Sequence, residues 1–419
     1  MECPEVLGRP HRSVAILAAV LLVPGLAACT AKRARTPKPP ASVSVGLLAA
    51  TSGERAAASR PAVQGAELAI DIVNNAHPTL PLPFAPSAGL RHGTKLTLAV
   101  GDSKGDAAAA GAAVSQFTGG SRPVAVVVAD SAEVVKAAGQ HTEEASLPLV
   151  DACSSADALG ELGRQWYFRV GPTDHMQLAT AFDALRQSLP GGVEVATRKA
   201  VVLDGASGQA LGGAPDLVDF ARSHGFTIAA RLPYNPGTTL TELADKIGAQ
   251  KPDAVVALAG VEQEATFVND LAQKLKGNLP VVALGHGVTA LSAASGGRGV
   301  LRTVGWSPEY AARNPTAHAV DELFQKKYGV PMNDAAASAF MAVLTVAVAV
   351  DAAGGVDPLR VRAALRQVSL QATQTIAPWN GVQFTLAGQN WLADAVVEQR
   401  VGNGYQVVFP REMAPKSSP

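Results

Sequence analysis

Aromatic residues make up only 5% of this 419-residue chain, which argues against a stacking platform for nucleic-acid bases or a Trp-rich sugar cleft. Neither sign of charge is in excess: Lys and Arg together number 35, as do Asp and Glu, so there is no bulk attraction to nucleic acid or to an acidic surface. Cysteine is scarce as well. Cys3, Cys29 and Cys153 are the three present, and only the last lies within the expected folded region, which excludes an intramolecular disulfide framework. Catalytic signatures are missing too. There is no phosphate-binding Gly-x-x-x-x-Gly-Lys-Ser/Thr loop, no His-Glu-x-x-His and no paired-Cys motif. Gly205-Ala206-Ser207-Gly208-Gln209 has its second glycine one position too early for a nucleophile elbow. The histidines are scattered without metal-ligand spacing, so neither an enzyme nor a metal or cofactor site is expected.

The chain opens on an export leader. Arg9, His11 and Arg12 precede an apolar run from Val14 to Leu22, which is too short to span a bilayer core of about 30 Å. It ends in Leu26-Ala27-Ala28-Cys29, which resembles the lipobox of bacterial lipoproteins. That resemblance implies cleavage before Cys29 and acylation of its thiol, giving a signal peptide over 1–28 and a bilayer-anchored mature chain. Residues 29–42 are basic and Pro-rich, without apolar periodicity, and read as a stiff tether whose Lys and Arg sit near anionic headgroups.

From Val43 onward strands alternate with helices, the pattern of a parallel, doubly wound sheet. The most telling stretch is 124–155. Val124–Val128 is an unbroken apolar run ending in Asp130-Ser131, and Leu147–Val150 is a second one ending in Cys153-Ser154-Ser155. Ligands of open α/β sheets bind outside the carboxyl ends of the strands, so Asp130, Ser131, Ser154 and Ser155 form the first wall of a candidate pocket. Asp130 with Glu133, and Ser154 with Asp157, also fit helix N-caps, and the two roles can coexist. Cys153 reads either as a small residue tolerated in a cleft loop or as a redox or metal group.

Gly171-Pro172-Thr173-Asp174 breaks the composition, and a second α/β set follows, with strands expected at 200–203, 227–232, 254–259 and 281–284. Gly285-His286-Gly287 is the next break. Beyond it come a strand at 301–304, helices at 316–328, 335–353 and 358–368, and a C-terminal antiparallel portion.

The order of elements resembles the type I periplasmic binding proteins, in particular the Leu/Ile/Val-binding branch that serves ABC importers. Val45-Gly46-Leu47 with Thr51-Ser52-Gly53, and Gly65-Ala66-Glu67-Leu68-Ala69, look like the family's opening strand, loop and helix. Phe168-Arg169-Val170, Tyr234-Asn235-Pro236-Gly237-Thr238-Thr239, Lys251-Pro252-Asp253-Ala254-Val255 and Tyr328-Gly329-Val330-Pro331 extend the match. The resemblance implies an α/β fold of two doubly wound lobes with a central cleft and three hinge crossings. Lobe 1 is expected over 43–171 and 287–376, and lobe 2 over 172–286 and 377–412.

It also implies a ligand held by Asp130, Ser131, Cys153, Ser154 and Ser155 on one lobe and by Ser207, Glu262 and His286 on the other. Ser207, Val261 and His286 stand where the family has two aromatics and an acidic residue. An imidazole cannot pair an ammonium as a carboxylate does, which speaks against an ordinary branched-chain amino acid. For His286, ligand contact and hinge packing stay open, and Glu262 also fits a helix cap. The expected function is a lipid-anchored solute-binding protein, monomeric, delivering a small polar, amino-acid-like or carboxylate-bearing molecule to an ABC permease. A sensor or scaffold lipoprotein without a transport role is the second reading.

Overall fold

Val, Ile, Leu and Ala runs buried on both faces build the parallel central strands of two sheets, as continuous apolar strands without alternation require. The computed structural model describes residues 40–120, 122–194, 197–205, 214–235, 237–260, 262–275, 279–289, 300–401 and 404–414. The leader, Cys29, most of the tether and Ser207 lie outside them.

The first sheet comprises β1 (Ser42–Ala49), β2 (Lys95–Asp102), β3 (Val126–Val128), β4 (Leu149–Asp151) and β5 (Tyr167–Arg169) in the order β2-β1-β3-β4-β5, all parallel. Helices α1 (Ala56–Asn74), α2 (Ala107–Gly119) and α3 (Ala132–Glu144) connect its strands. The chain then enters α4 (Asp174–Ser188) and a second sheet. Its strands are β6 (Arg198–Gly205), β7 (Phe226–Tyr234), β8 (Ala254–Leu258), β9 (Val281–Leu284) and β10 (Val300–Val304), with α5 (Ala214–Ser223), α6 (Leu240–Ala249), α7 (Glu262–Lys274) and the short α8 (His286–Thr289) between them. Helices α9 (Pro308–Ala311), α10 (Pro315–Tyr328), α11 (Asp334–Ala353) and α12 (Pro358–Leu365) follow, α1 packing against α11. A small hairpin-like pair, β11 (Ser369–Gln371) and β12 (Gly381–Gln383), precedes β13 (Val396–Val401) and β14 (Gly404–Phe409). These last two complete the second sheet in the order β14-β13-β10-β9-β8-β6-β7, with β13 antiparallel to both its neighbours.

The strand pairing moves two expected boundaries. Residues 287–376 were expected together in lobe 1, yet β10 hydrogen-bonds between β9 and β13 in the second sheet, so the chain returns to the first lobe only after Val304. Gly285-His286-Gly287 breaks the strand pattern but leads only into α8. Residues 377–412 were expected in lobe 2, yet the portion up to Ala393 packs on the first. Phe384 meets Phe168 edge-on with ring centroids 5.2 Å apart, and the Asn390 amide donates to Val170 O at 2.9 Å and Gly381 O at 3.1 Å. The Asn390 side-chain oxygen accepts from Gln383 N at 3.0 Å and Leu392 N at 3.1 Å, so this fully buried amide uses its whole bonding capacity. Gly388 holds φ at +79°, and a Cβ there would lie 2.0 Å from Tyr167 O, so this turn needs glycine to reach β5.

Helix α11 is apolar on nearly every face because it is buried on nearly every face. Asn333 caps it by accepting from Ala336 N at 3.0 Å, and Gly354 ends it in the left-handed region. Its contact with α1 is close at Gly65, where a Cβ would fall 2.0 Å from the Ala336 carbonyl oxygen. Backbone cannot yield as a flexible side chain does. Gly65→Ala is therefore expected to lower stability by about 1–3 kcal/mol, read as a reduced urea midpoint at unchanged m-value. An unchanged midpoint would contradict the α1–α11 packing.

Candidate functional site

The carboxyl ends of parallel strands leave backbone N–H groups without partners, and in the first sheet the chain's own carboxylates take them up. Asp102, closing β2, accepts from Thr51 N at 2.9 Å, Ser52 N at 3.3 Å, Ser52 Oγ at 2.5 Å and Lys104 N at 3.0 Å. These donors, the Ser52 hydroxyl foremost, hold its carboxyl well below the usual range. Asp130, after β3, accepts from the Ser103 hydroxyl and from Ser131 N at 2.7 Å, and pairs with Arg55 at 3.1 Å. Asp151, the last residue of β4, accepts from Ser154 N at 2.9 Å and Tyr167 Oη at 2.9 Å. Arg169 donates to Tyr167 Oη at 2.9 Å and lies 4.0 Å from Asp151. Complete burial pushes the Asp151 carboxyl up to about 6, against the pull of Arg169.

Between the carboxyl edges of the two sheets runs a crevice with about 420 Å³ of unfilled space, its open mouth included. The first sheet contributes Ala152, Cys153, Ser154 and Ser155 after β4, and Gly171 and Pro172 after β5. The second contributes Gly285 after β9, and Thr303, Val304 and Gly305 at the end of β10; Gln177 of α4 and Asp334 and Ser338 of α11 complete the lining. The Ser154 hydroxyl is buried here without a hydrogen-bond partner among the described residues. Ser155 is engaged: its carbonyl accepts from Asp174 N at 2.8 Å, and it lies beside the Asp174 carboxyl, which burial pushes up to about 6.

Asp334 opens α11, and its Oδ1 is buried against Gly305 with no hydrogen-bond partner among the described residues. Burial pushes its carboxyl up to about 7. Arg302 offsets this only in part, because it is held by Glu398 at 2.8 Å and stacks 3.4 Å over the Tyr405 ring, and Glu398 adds like charge. The Cys153 thiol is pushed up by burial and then by Asp334, Asp151 and Asp130, which keeps it protonated and unreactive.

Of the residues expected at the site, Cys153, Ser154 and Ser155 line this one crevice. Asp130 and Ser131 do not line it; Asp130 is consumed by Ser103, Ser131 and Arg55. The capping expectation fares differently at each position. Ser131 occupies the N-cap of α3 without a side-chain cap bond, and Ser154 caps nothing, since the turn beginning at Asp157 follows Ala156. Asp157 instead accepts from His175 N at 3.1 Å and pairs with His175 Nδ1 at 2.7 Å. Ser207 lies outside the described residues, as do the side chains of Glu262 and His286, whose backbones begin α7 and α8. Asp334, Gln177 and Thr303 were not anticipated. Asn333-Asp334 reads as an ordinary helix start, and nothing local in sequence marks its acid as facing a cleft.

The facing carboxyl edges, the crossings near 170–174, 304–308 and 393–396, and the crevice between them are what a two-lobed solute binder needs. A family model described as periplasmic binding protein matches residues 42–390. The chain belongs to the periplasmic binding protein family.

Within that family it has the type I fold and is similar to Leu/Ile/Val-binding homologues. The Leu/Ile/Val-binding protein homolog 8 of Brucella abortus is 24% identical over 395 residues, covering 89% of this chain and 92% of that protein. Two solved structures share the fold. The ABC transporter substrate-binding protein of Desulfitobacterium hafniense in complex with Leu superposes with a TM-score of 0.70 at 19% identity, over 88% of this chain and 100% of that one. A leucine binding protein of Thermotoga maritima does so at 0.67 and 18%, over 87% and 97%. As a periplasmic binding protein, the chain is an extracytoplasmic solute binder of the ABC-transporter type.

Three carboxyls, those of Asp151, Asp174 and Asp334, hold their protons more tightly in the folded chain than the ordinary 3.8 of an unfolded one. As pH rises from about 4 the unfolded chain releases those protons first, so stability falls until the folded values of about 6 to 7 are passed. Below that window the penalty is absent. Urea unfolding at pH 5 and pH 8 is expected to show a smaller loss at the higher pH for Asp334→Asn than for the unaltered chain. An equal loss in both would remove Asp334 from the account.

Proposed function

We propose that this periplasmic binding protein is anchored to the bacterial cell membrane by an acylated Cys29 and captures a small polar, amino-acid-like molecule that it passes to an ABC importer. The crevice between the carboxyl edges of the two sheets carries this reading. It places the unpartnered Ser154 hydroxyl, the Gln177 amide side chain and the Asp334 carboxylate around one space reached from both lobes. A ligand that touches both lobes favours the closed arrangement over the open one by the contacts it makes only there, and closure is then the signal a permease reads. Lobe 1, in this proposal, spans about 42–170 and 308–393, and lobe 2 spans about 174–304 and 396–410, with three hinge crossings linking them.

The ligand half of the proposal is tested on the processed protein, purified from membranes in detergent. Small molecules released by denaturation are identified by mass spectrometry and returned to the protein in thermal unfolding. A true ligand at a hundred times its Kd stabilises the fold by about 2.7 kcal/mol. Ser154→Ala is expected to weaken it about three- to tenfold, the worth of one hydrogen bond. No stabilisation by any amino acid, amine or organic acid would end the solute-binding reading and leave a sensor or scaffold.

The anchoring half rests on Leu26-Ala27-Ala28-Cys29 and is tested separately. Cys29→Ala is expected to abolish metabolic labelling with a fatty acid analogue and to prevent maturation of the leader. Undiminished labelling would show that the acyl group is elsewhere, and an unlabelled unaltered chain that it is absent.

A further inference from the structure

We propose that the crevice selects its solute by a positive charge, a protonated amine seated on the Asp334 carboxylate with the Ser154 hydroxyl in the same space. This rests on the solute-binding reading and narrows it to organic cations.

Several donors of the first-lobe loops that could take a ligand carboxylate are already spent. Thr51 N, Ser52 N and the Ser52 hydroxyl serve Asp102, Ser131 N serves Asp130, and Ser154 N serves Asp151. The charge in the crevice has the opposite bias. Among the described lining residues Asp334 is the only charged one, and no Lys or Arg is present. Arg302, the nearest cation to Asp334, is committed to Glu398 and to the Tyr405 ring.

Two acceptors are left over. Ser154, 7% exposed, has a buried hydroxyl with no partner among the described residues, and Asp334 Oδ1 is likewise without one. A buried acceptor left unmade costs about 1–3 kcal/mol, which a donor arriving with the ligand recovers. An ammonium offers three donors and a full charge, and matches one carboxylate oxygen and one hydroxyl. A second carboxyl, Asp174, stands behind Ser155, its backbone N–H bonded to Ser155 O, and adds to the negative potential.

The groups facing Asp334 are Cys153 from the loop after β4, Arg302 from β10, Glu398 from β13 and the Trp306 N–H. Together with burial they leave its carboxyl near neutral pH, at about 7. An arriving cation displaces the remaining proton, so binding at pH 7 releases between zero and one proton. A neutral or anionic solute would not.

The test uses the processed protein in detergent and a panel of amino acids, each with its decarboxylated amine and its deaminated acid; leucine, 3-methylbutylamine and 4-methylpentanoate form one such set. Titration calorimetry at pH 7 in two buffers of different ionisation enthalpy reads both Kd and proton release. Amines are expected to bind at least as tightly as their parent amino acids, with proton release, and the acids not at all. Asp334→Asn is expected to weaken the amines about ten- to a hundredfold and to remove the proton release, its fold checked by circular dichroism. If that variant does not fold, Ser154→Ala, expected to weaken amines about three- to tenfold, and the proton count of the unaltered protein decide instead. Binding of acids in preference to amines, or amine binding indifferent to both substitutions and without proton release, overturns the inference and leaves solute binding standing. Binding of no member of any set overturns both.

Discussion

Backbone N–H groups at the end of a buried parallel strand must find acceptors, and the way this chain meets that demand shapes everything around its cleft. Asp102, Asp130 and Asp151 each turn a carboxylate back onto the loop that follows or neighbours their own strand. The edge is thereby braced before any ligand arrives. The cleft inherits what this arrangement leaves over, namely hydroxyls, an amide and the acid at the start of α11. Asp151 also fixes Tyr167 and through it Arg169, both of them on the strand from which the first crossing departs.

The crossings are pinned by polar side chains that bond across them. Asn390 joins the third passage to the first by bonding the carbonyl after β5, and Gln389 adds a bond to Gly171 O at 3.0 Å. On the other lobe Thr180 of α4 donates to Asp394 at 3.0 Å, so the same short segment is tied to both sides within five residues. Such satisfied networks specify one arrangement where apolar contacts alone would tolerate several.

The fold was legible because apolar runs, glycine breaks and cap residues agree with one another along most of the chain. The helix beginning at Asp174, the strand at Val281–Leu284 and the long Ala/Val helix to Ala353 all fall within a residue or two of where periodicity puts them. The lobe boundaries were less legible, because a Gly-His-Gly break looks alike whether the chain changes lobe or merely turns into a short helix. For the site, Cys153, Ser154 and Ser155 could be found by position alone, as residues ending a buried strand. Asp130 follows a strand in the same way, and only the presence of Arg55 and Ser103 from two other loops decides that it faces them. Asp334 stands about 180 residues beyond Ser154, and its approach to Ser154 is a product of the first two crossings.

Helix α11 has a bearing on how the protein leaves the cell interior. It is the one helix among the described residues long and apolar enough, by length and composition, to cross a membrane. A segment threaded through a translocation channel is sampled by lipid on the way, and a run of this length risks being retained. Nine of its 20 residues are alanine, each burying little apolar surface, where leucine or isoleucine would bury far more. Alanine is also what lets its backbone come up against Gly65 of α1. Small side chains thus serve the finished core and ease its passage outward, and enlarging them would work against secretion as well as packing.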